Sequence, residues 1–203
     1  MRKYLFLIIQ ILLLFIVVGC NKNEPSSVNS SKIEDSISSE SSEKEEKTLV
    51  LYFSCTNNTK AVALKINKAI DSTIEEIKPL NPYTSADLNY NNSNCRANIE
   101  QNDQNARPEF VPLNIDISEY NNIFIGYPIW WGKLPKIMYT MFDAYDFTNK
   151  TIIPFCTSGS SSISASVNEI KQLEPEANVL MGKRFSSNTS DTEIETWINS
   201  LNL

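Results

Sequence analysis

The sequence predicts an α/β protein built on a doubly wound, five-stranded parallel sheet. Two observations carry that expectation. The apolar runs at residues 49–53, 122–127 and 151–156 are continuous where a half-buried strand would alternate, so each reads as a strand covered on both faces. Strand signals near residues 49, 73, 122, 151 and 178 are each separated by a helical or irregular stretch, and that order of elements belongs to parallel sheets.

The chain does not begin with this domain. Arg2 and Lys3 precede an apolar segment at residues 4–18, which closes on Val17, Val18, Gly19 and Cys20. Its 15 residues would reach ~22 Å as a helix, short of the ~30 Å hydrocarbon core. It therefore reads as a signal peptide. The small residue followed by cysteine resembles a bacterial lipobox, which implies Cys20 as the lipidated first residue of an extracytoplasmic, membrane-anchored chain. A signal peptide with an incidental cysteine, or an uncleaved anchor, is the alternative. Residues 21–47 are Ser, Glu, Lys and Asn, interrupted by Val28, Ile33 and Ile37 as the only large apolar residues. That composition buries too little to offset chain entropy, so the segment is expected to be a disordered tether. As a random coil, its 27 residues would span roughly 30 Å.

Residues 48–203 have the length of one domain with a full core. Loss of the leader removes Arg2 and Lys3 from 18 basic residues and none of the 24 acidic ones, leaving a net charge of −8. Such an acidic surface argues against nucleic acid and against anionic lipid as partners of the domain itself. It suits a redox partner with a basic face, or solubility alone. The sequence has no histidine, which excludes His-based triads and His metal sites. Cys55, Cys95 and Cys156 remain besides Cys20, an odd number that speaks against a disulfide framework. A redox pair of Cys55 and Cys156 is the alternative reading, but no C-x-x-C supports it, and free buried thiols are the expectation.

The first strand, residues 49–53, breaks into Ser54, Cys55, Thr56, Asn57, Asn58 and Thr59, which are short and uncharged, and then into a helical pattern through Ala61, Val62, Leu64 and Ile66. A strand, a polar turn and a helix N-terminus make an anion pocket, because the first N–H groups of the helix have no partner within it. The turn has no glycine, which excludes the G-x-x-x-x-G-K-[ST] and G-x-G-x-x-G loops. Ala61 stands six residues after Cys55, where a Cys-based phosphatase loop needs arginine.

Residues 73–78 (TIEEIK) are a short, partly exposed edge strand ended by Pro79, Asn81 and Pro82. Residues 83–109 read as one irregular helix with a long loop, ended near Arg107 and Pro108. The strand at 122–127 leads into Pro128, Ile129, Trp130, Trp131, Gly132 and Lys133, and Pro135 opens a helix with Ile137, Met138, Met141 and Phe142 on its core face. The two tryptophans are awkward to bury together, so one is expected to pack inward and the other to face a ligand. A core or partner-binding role for both is the competing reading. The strand at 151–156 ends in Thr157, Ser158, Gly159 and three serines before a helix at 163–173. A last short strand at 178–181 precedes Ser190, which caps a terminal helix with Glu193 three residues on and with Ile194, Trp197, Ile198 and Leu201 as its buried face.

Three of these stretches carry a family resemblance. Ser54, Thr56, Asn58 and Thr59 resemble the flavodoxin phosphate loop [ST]-x-T-G-N-T, with Asn57 in place of glycine, a substitution Asn tolerates because it visits left-handed conformations. Residues 126–147 resemble the flavin loop and following helix of flavodoxin-like proteins with a G-x-P-x-W-W-G-x-x-P pattern, and residues 157–162 resemble their third flavin loop. The resemblance implies strand order 2-1-3-4-5 and FMN at the switch point beside the first strand, a location known from flavodoxin itself. It implies Ser54, Thr56, Asn57, Asn58 and Thr59 on the phosphate, Trp130 or Trp131 on the ring with Pro128 and Gly132 shaping that loop, and Thr157, Ser158 and Gly159 on the ring edge. It also sets residues 83–109 beside the flavin, with Tyr83, Tyr90 and Arg96 either at substrate or merely at the surface. The third loop lacks the aromatic residues of true flavodoxins, which leaves one ring face open. The function so implied is an FMN-binding redox lipoprotein passing electrons at the outer membrane face to a redox partner or a small acceptor such as a quinone. An NAD(P)H- or quinone-linked oxidoreductase and a flavin-free partner-binding module are the alternatives.

Overall fold

The computed structural model describes residues 46–203. The expected leader, Cys20 and nearly all of the tether lie outside them. Strands β1 (Thr48–Tyr52), β2 (Thr73–Glu76), β3 (Asn122–Pro128), β4 (Thr151–Thr157) and β5 (Asn178–Val179) with β6 (Lys183–Phe185) alternate with helices α1 (Asn58–Ile70), α2 (Arg96–Asn102), α3 (Lys136–Ala144), α4 (Ser164–Leu173) and α5 (Asp191–Asn199), β6 following β5 directly. The sheet runs β2-β1-β3-β4-β5, all parallel, with β6 also paired to β4. This is the doubly wound order 2-1-3-4-5.

Side-chain alternation along β1 shows why its apolar run is continuous. Leu49, Leu51 and Phe53 enter one core with Ile123, Ile125 and Tyr127 of β3, and there meet Ile137, Met138, Met141 and Phe142 of α3 and Val167 and Ile170 of α4. Val50 and Tyr52 enter the opposite core with Phe124, Ile153 and Phe155, under Val62, Ala63 and Ile66 of α1 and Ile194 and Trp197 of α5. Both faces are therefore buried, and helices cover each. Gly126 of β3 lies in register with Phe155, and a Cβ there would stand 2.1 Å from the Phe155 ring. Ser190 caps α5 by accepting from the Glu193 N–H at 3.2 Å, while the Glu193 carboxylate pairs with Lys183 at 3.3 Å.

Two segments differ from the sequence expectation. The fifth position in the sheet holds two short pieces, where one strand at 178–181 was expected. The cause lies in β4: the Lys150 and Ile152 carbonyls accept from Asn178 N–H and Leu180 N–H at 2.9 and 3.0 Å, but the next residue facing that side is Pro154, which has no N–H to give. The chain detours through Met181 and Gly182, whose φ is +68°, and pairing resumes at Lys183. In residues 83–109, helix is confined to the seven residues of α2, and the Asn-rich run before it is a series of turns in which Asn89 and Asn92 accept from the backbone N–H two residues on.

Gly182→Ala is expected to destabilise the domain by about 2 kcal/mol or more, because φ is left-handed there and the new Cβ would stand 2.2 Å from the Pro154 carbonyl oxygen. A fall in the urea midpoint at unchanged m-value checks it.

Candidate functional site at the carboxyl edge of the sheet

The loops after β1, β3, β4 and β6 meet in a cleft of about 430 Å³. The first loop is set by Asn57, which takes φ +62° and ψ 0° immediately before α1. That left-handed residue turns the chain so that the first N–H groups of α1 face the loop. No side chain caps this 13-residue helix, and no acidic residue stands in its first turn, so its partial positive charge is left uncompensated. Asn58 Nδ2 donates to Thr56 Oγ1 at 3.2 Å, which braces the turn from within. The buried hydroxyls of Thr59 and Thr157 share a 2.7 Å hydrogen bond that ties the first loop to the loop after β4.

The second loop separates the two indoles. Trp130 is buried and meets Phe53 and Tyr83 edge to face, with ring centroids 5.4 and 5.1 Å away. Trp130 and Lys133 exchange backbone hydrogen bonds of 3.2 and 2.9 Å around Trp131 and Gly132, whose φ values are +47° and +76°. Two successive positive φ angles are the signature of a type I′ turn. Gly132 meets that demand without strain, whereas a bulky residue such as Trp131 does so at a cost. The turn throws the Trp131 ring away from Trp130 and onto Tyr90, at 4.4 Å and 34° between planes. In the third loop, Ser158 Oγ donates to the Ser161 carbonyl at 2.6 Å, and Arg184 Nη1 donates to the Ser158 carbonyl at 3.1 Å.

Of the residues singled out in the sequence, Ser54, Thr56, Asn58, Thr59, Pro128, Trp130, Thr157, Ser158 and Gly159 line the cleft. Asn57, Trp131 and Gly132 do not; they shape the turns behind it. Tyr90 lines it, while Tyr83 and Arg96 stand behind Trp130, with the Arg96 guanidinium 4.0 Å over the Tyr83 ring. Cys55, Leu88, Ile129, Ser186 and Ser187 complete the lining. Ser186 and Ser187 were within reach of sequence reasoning, had the fifth strand been carried through to Phe185 and its following loop placed on the same edge. Leu88 sits in a turn without periodicity and gave no signal.

No lining residue carries a formal charge at neutral pH. Burial pushes the Cys55 thiol up to about 12, against a smaller lowering by Arg96, and burial also raises Tyr90. Cys55, Cys95 and Cys156 are all free thiols.

Two outcomes follow. Asn57→Gly is expected to change stability by no more than about 0.5 kcal/mol, whereas Asn57→Val, β-branched at a left-handed position, should cost roughly 1–2 kcal/mol in urea unfolding. Cys55 is expected to resist iodoacetamide at pH 8, because its thiolate forms only near the raised value, about 12. Peptide mass spectrometry should show labelling far slower than that of free cysteine.

Comparison with known proteins bears on this geometry. The family model described as Flavodoxin matches residues 47–201. The crystal structure of a protein classed as a flavoprotein from Bacteroides uniformis shares 39% identity over 76% of this chain and 98% of its own, with a TM-score of 0.73. A second such protein, from Bacteroides eggerthii, shares 37% identity over 77% of this chain and 98% of its own, with a TM-score of 0.72. A flavoprotein from Lactobacillus acidophilus, solved in complex with FMN, shares 31% identity over 75% and 99%, with a TM-score of 0.57. A search of curated proteins finds no match. The parallel order, the loop chemistry at its carboxyl edge and a family match over nearly all of the described residues lead to one conclusion: this chain belongs to the flavodoxin family.

Proposed function

We propose that the chain binds FMN in the cleft and serves as a redox protein tethered at the outer face of the membrane. The observation that carries this is an uncapped 13-residue helix opening onto an uncharged, aromatic-walled cleft. A phosphate needs N–H donors and a favourable dipole, and α1 offers both without a cation. A planar ring needs an aromatic wall, and Trp130 is held in place by Phe53 and Tyr83. The residues therefore fit the group that the Lactobacillus acidophilus relative was solved with.

Ser54, Thr56, Asn57, Asn58 and Thr59 would hold the phosphate, the last four through the turn and the helix start. Trp130 would lie against the ring, and Thr157, Ser158 and Gly159 would meet its edge. Bound FMN supplies electron-transfer chemistry that no side chain here can. The chain itself excludes water, fixes the ring and sets the surrounding field. The titratable groups lining the cleft are Cys55 and Tyr90, both shifted upward, so neither exchanges a proton near neutrality. That favours electron relay over acid–base chemistry. Exposed Tyr90 at the rim supports a second reading, FMN-dependent reduction of a small planar acceptor such as a quinone. The lipid anchor at Cys20 and the tether at residues 21–47 would hold the domain near membrane-bound partners.

Purified protein is expected to be yellow, with flavin absorbance near ~450 nm. Thr56→Ala and Trp130→Ala should each weaken FMN by roughly tenfold. Protein that stays colourless in excess FMN overturns the proposal and leaves a partner-binding module. The midpoint potential is expected below that of free FMN, since no side chain lining the cleft is cationic and able to offset added negative charge. NAD(P)H oxidation with a quinone would mark the enzyme reading, and Cys20→Ser should move the protein from the membrane fraction to the soluble one.

A further inference from the structure

We propose that α2 is a strut for the aromatic wall of the cleft, with Gln101 as its positioning residue. Seven residues are too few for a helix to persist by propensity alone, so α2 exists through what it touches. Gln101 is only 7% exposed. Its Nε2 donates to the Trp130 and Leu134 carbonyls, both at 3.2 Å, and its Oε1 accepts from the Lys136 N–H at 3.0 Å. The amide orientation is dictated by its partners, since two carbonyls require donors and one N–H requires an acceptor.

These three groups bracket the turn that carries Trp131 and Gly132. One is a helix-start donor that would otherwise go without a partner, because Pro135 precedes α3 and no side chain caps it. The Leu134 N–H is held separately, by Glu169 Oε2 at 2.9 Å. One amide thus closes the loop from Trp130 to the first residue of α3. It also explains how two positive φ angles persist there, as neighbouring bonds over-determine the turn.

The same helix grips the indole ring. Tyr83, whose ring meets that of Trp130, donates its hydroxyl to Glu100 Oε2 at 2.6 Å. Arg96 Nε donates to Glu100 Oε1 at 2.7 Å, and its Nη1 donates to the Asn81 carbonyl at 2.8 Å. Glu100 sits one residue before Gln101, so consecutive positions of α2 fix the ring and the backbone of Trp130. Removing the amide would take their partner from the Leu134 carbonyl and the Lys136 N–H and leave the Trp130 carbonyl with the Lys133 N–H alone, which releases the loop rather than merely thinning its contacts.

The test uses full-length protein and four forms: wild type, Gln101→Leu, Gln101→Glu and Asn102→Ala. Asn102 is exposed and bonds only to Asn98 within α2, so it controls for helix perturbation. Both Gln101 variants are expected to keep the far-UV CD of the wild type and to lose near-UV aromatic bands, with Asn102→Ala matching wild type in both. With FMN, they should bind roughly tenfold more weakly or worse, with a shifted flavin band and midpoint potential. Should Gln101→Leu not fold, Gln101→Glu is decisive, because it keeps the size and an acceptor for Lys136 but, when ionised, cannot donate to the two carbonyls. Unchanged near-UV bands in a folded Gln101 variant overturn the inference, as does a lowered melting temperature with band and potential intact. The FMN arm rests on the proposed function; if wild type binds no FMN, that reading fails and the near-UV comparison still decides this one.

Discussion

The architecture depends on one constraint: β1, β3 and β4 are buried on both faces, so no charged or irregular segment can interrupt them until they leave the sheet. All three run the same way, and so all three release their polar chemistry at one edge. Hydroxyls and amides excluded from the strands collect there. The N-terminus of α1 meets them, since a parallel sheet needs a helix after each strand and the start of that helix faces the same edge. The cleft follows from the layout of the core and needs no further organising principle.

Within that edge, the chain uses hydrogen bonds between loops as well as within them. Thr59 to Thr157 joins the loops after β1 and β4, the Ile129 N–H donates to the Thr157 carbonyl at 3.0 Å, and Arg184 reaches the loop after β4 from β6. Thr157 therefore links three loops at once, by its hydroxyl to Thr59 and by its carbonyl to Ile129, at a site where its own strand ends. A group bound between these loops would meet a surface already braced, so little ordering would remain to be done on binding.

The sequence made the three central strands, the two helical faces and the polar loops legible, because burial on both faces leaves an unmistakable apolar run. Asn57 was readable as a glycine substitute, and its φ of +62° bears that out. Pro154 lay in plain view inside TIIPFC, yet its effect falls on the neighbouring strand, and a one-dimensional pattern does not say which neighbour loses a donor. Residues 83–109 were opaque for a different reason. Their structure is held by single polar contacts to distant segments, Gln101 to the loop after β3 and Arg96 to Asn81, and such contacts leave no periodicity. The two tryptophans do part, but the buried Trp130 is also the one that lines the cleft while Trp131 lies on Tyr90, and the turn that parts them is visible only as dihedral angles.

The broken fifth position has a meaning for how this molecule meets its own copies. A long, flat outer strand offers a row of free donors and acceptors onto which another chain can add itself. Here β5 has two residues and β6 three, with Gly182 bending the chain between them, and on the opposite flank β2 is a four-residue stretch carrying Glu75 and Glu76. Neither margin presents a template long enough for sheet extension. Sheet extension at either margin would find little unpaired backbone to build on, and Pro154, one strand inside the border, is what cuts that border short.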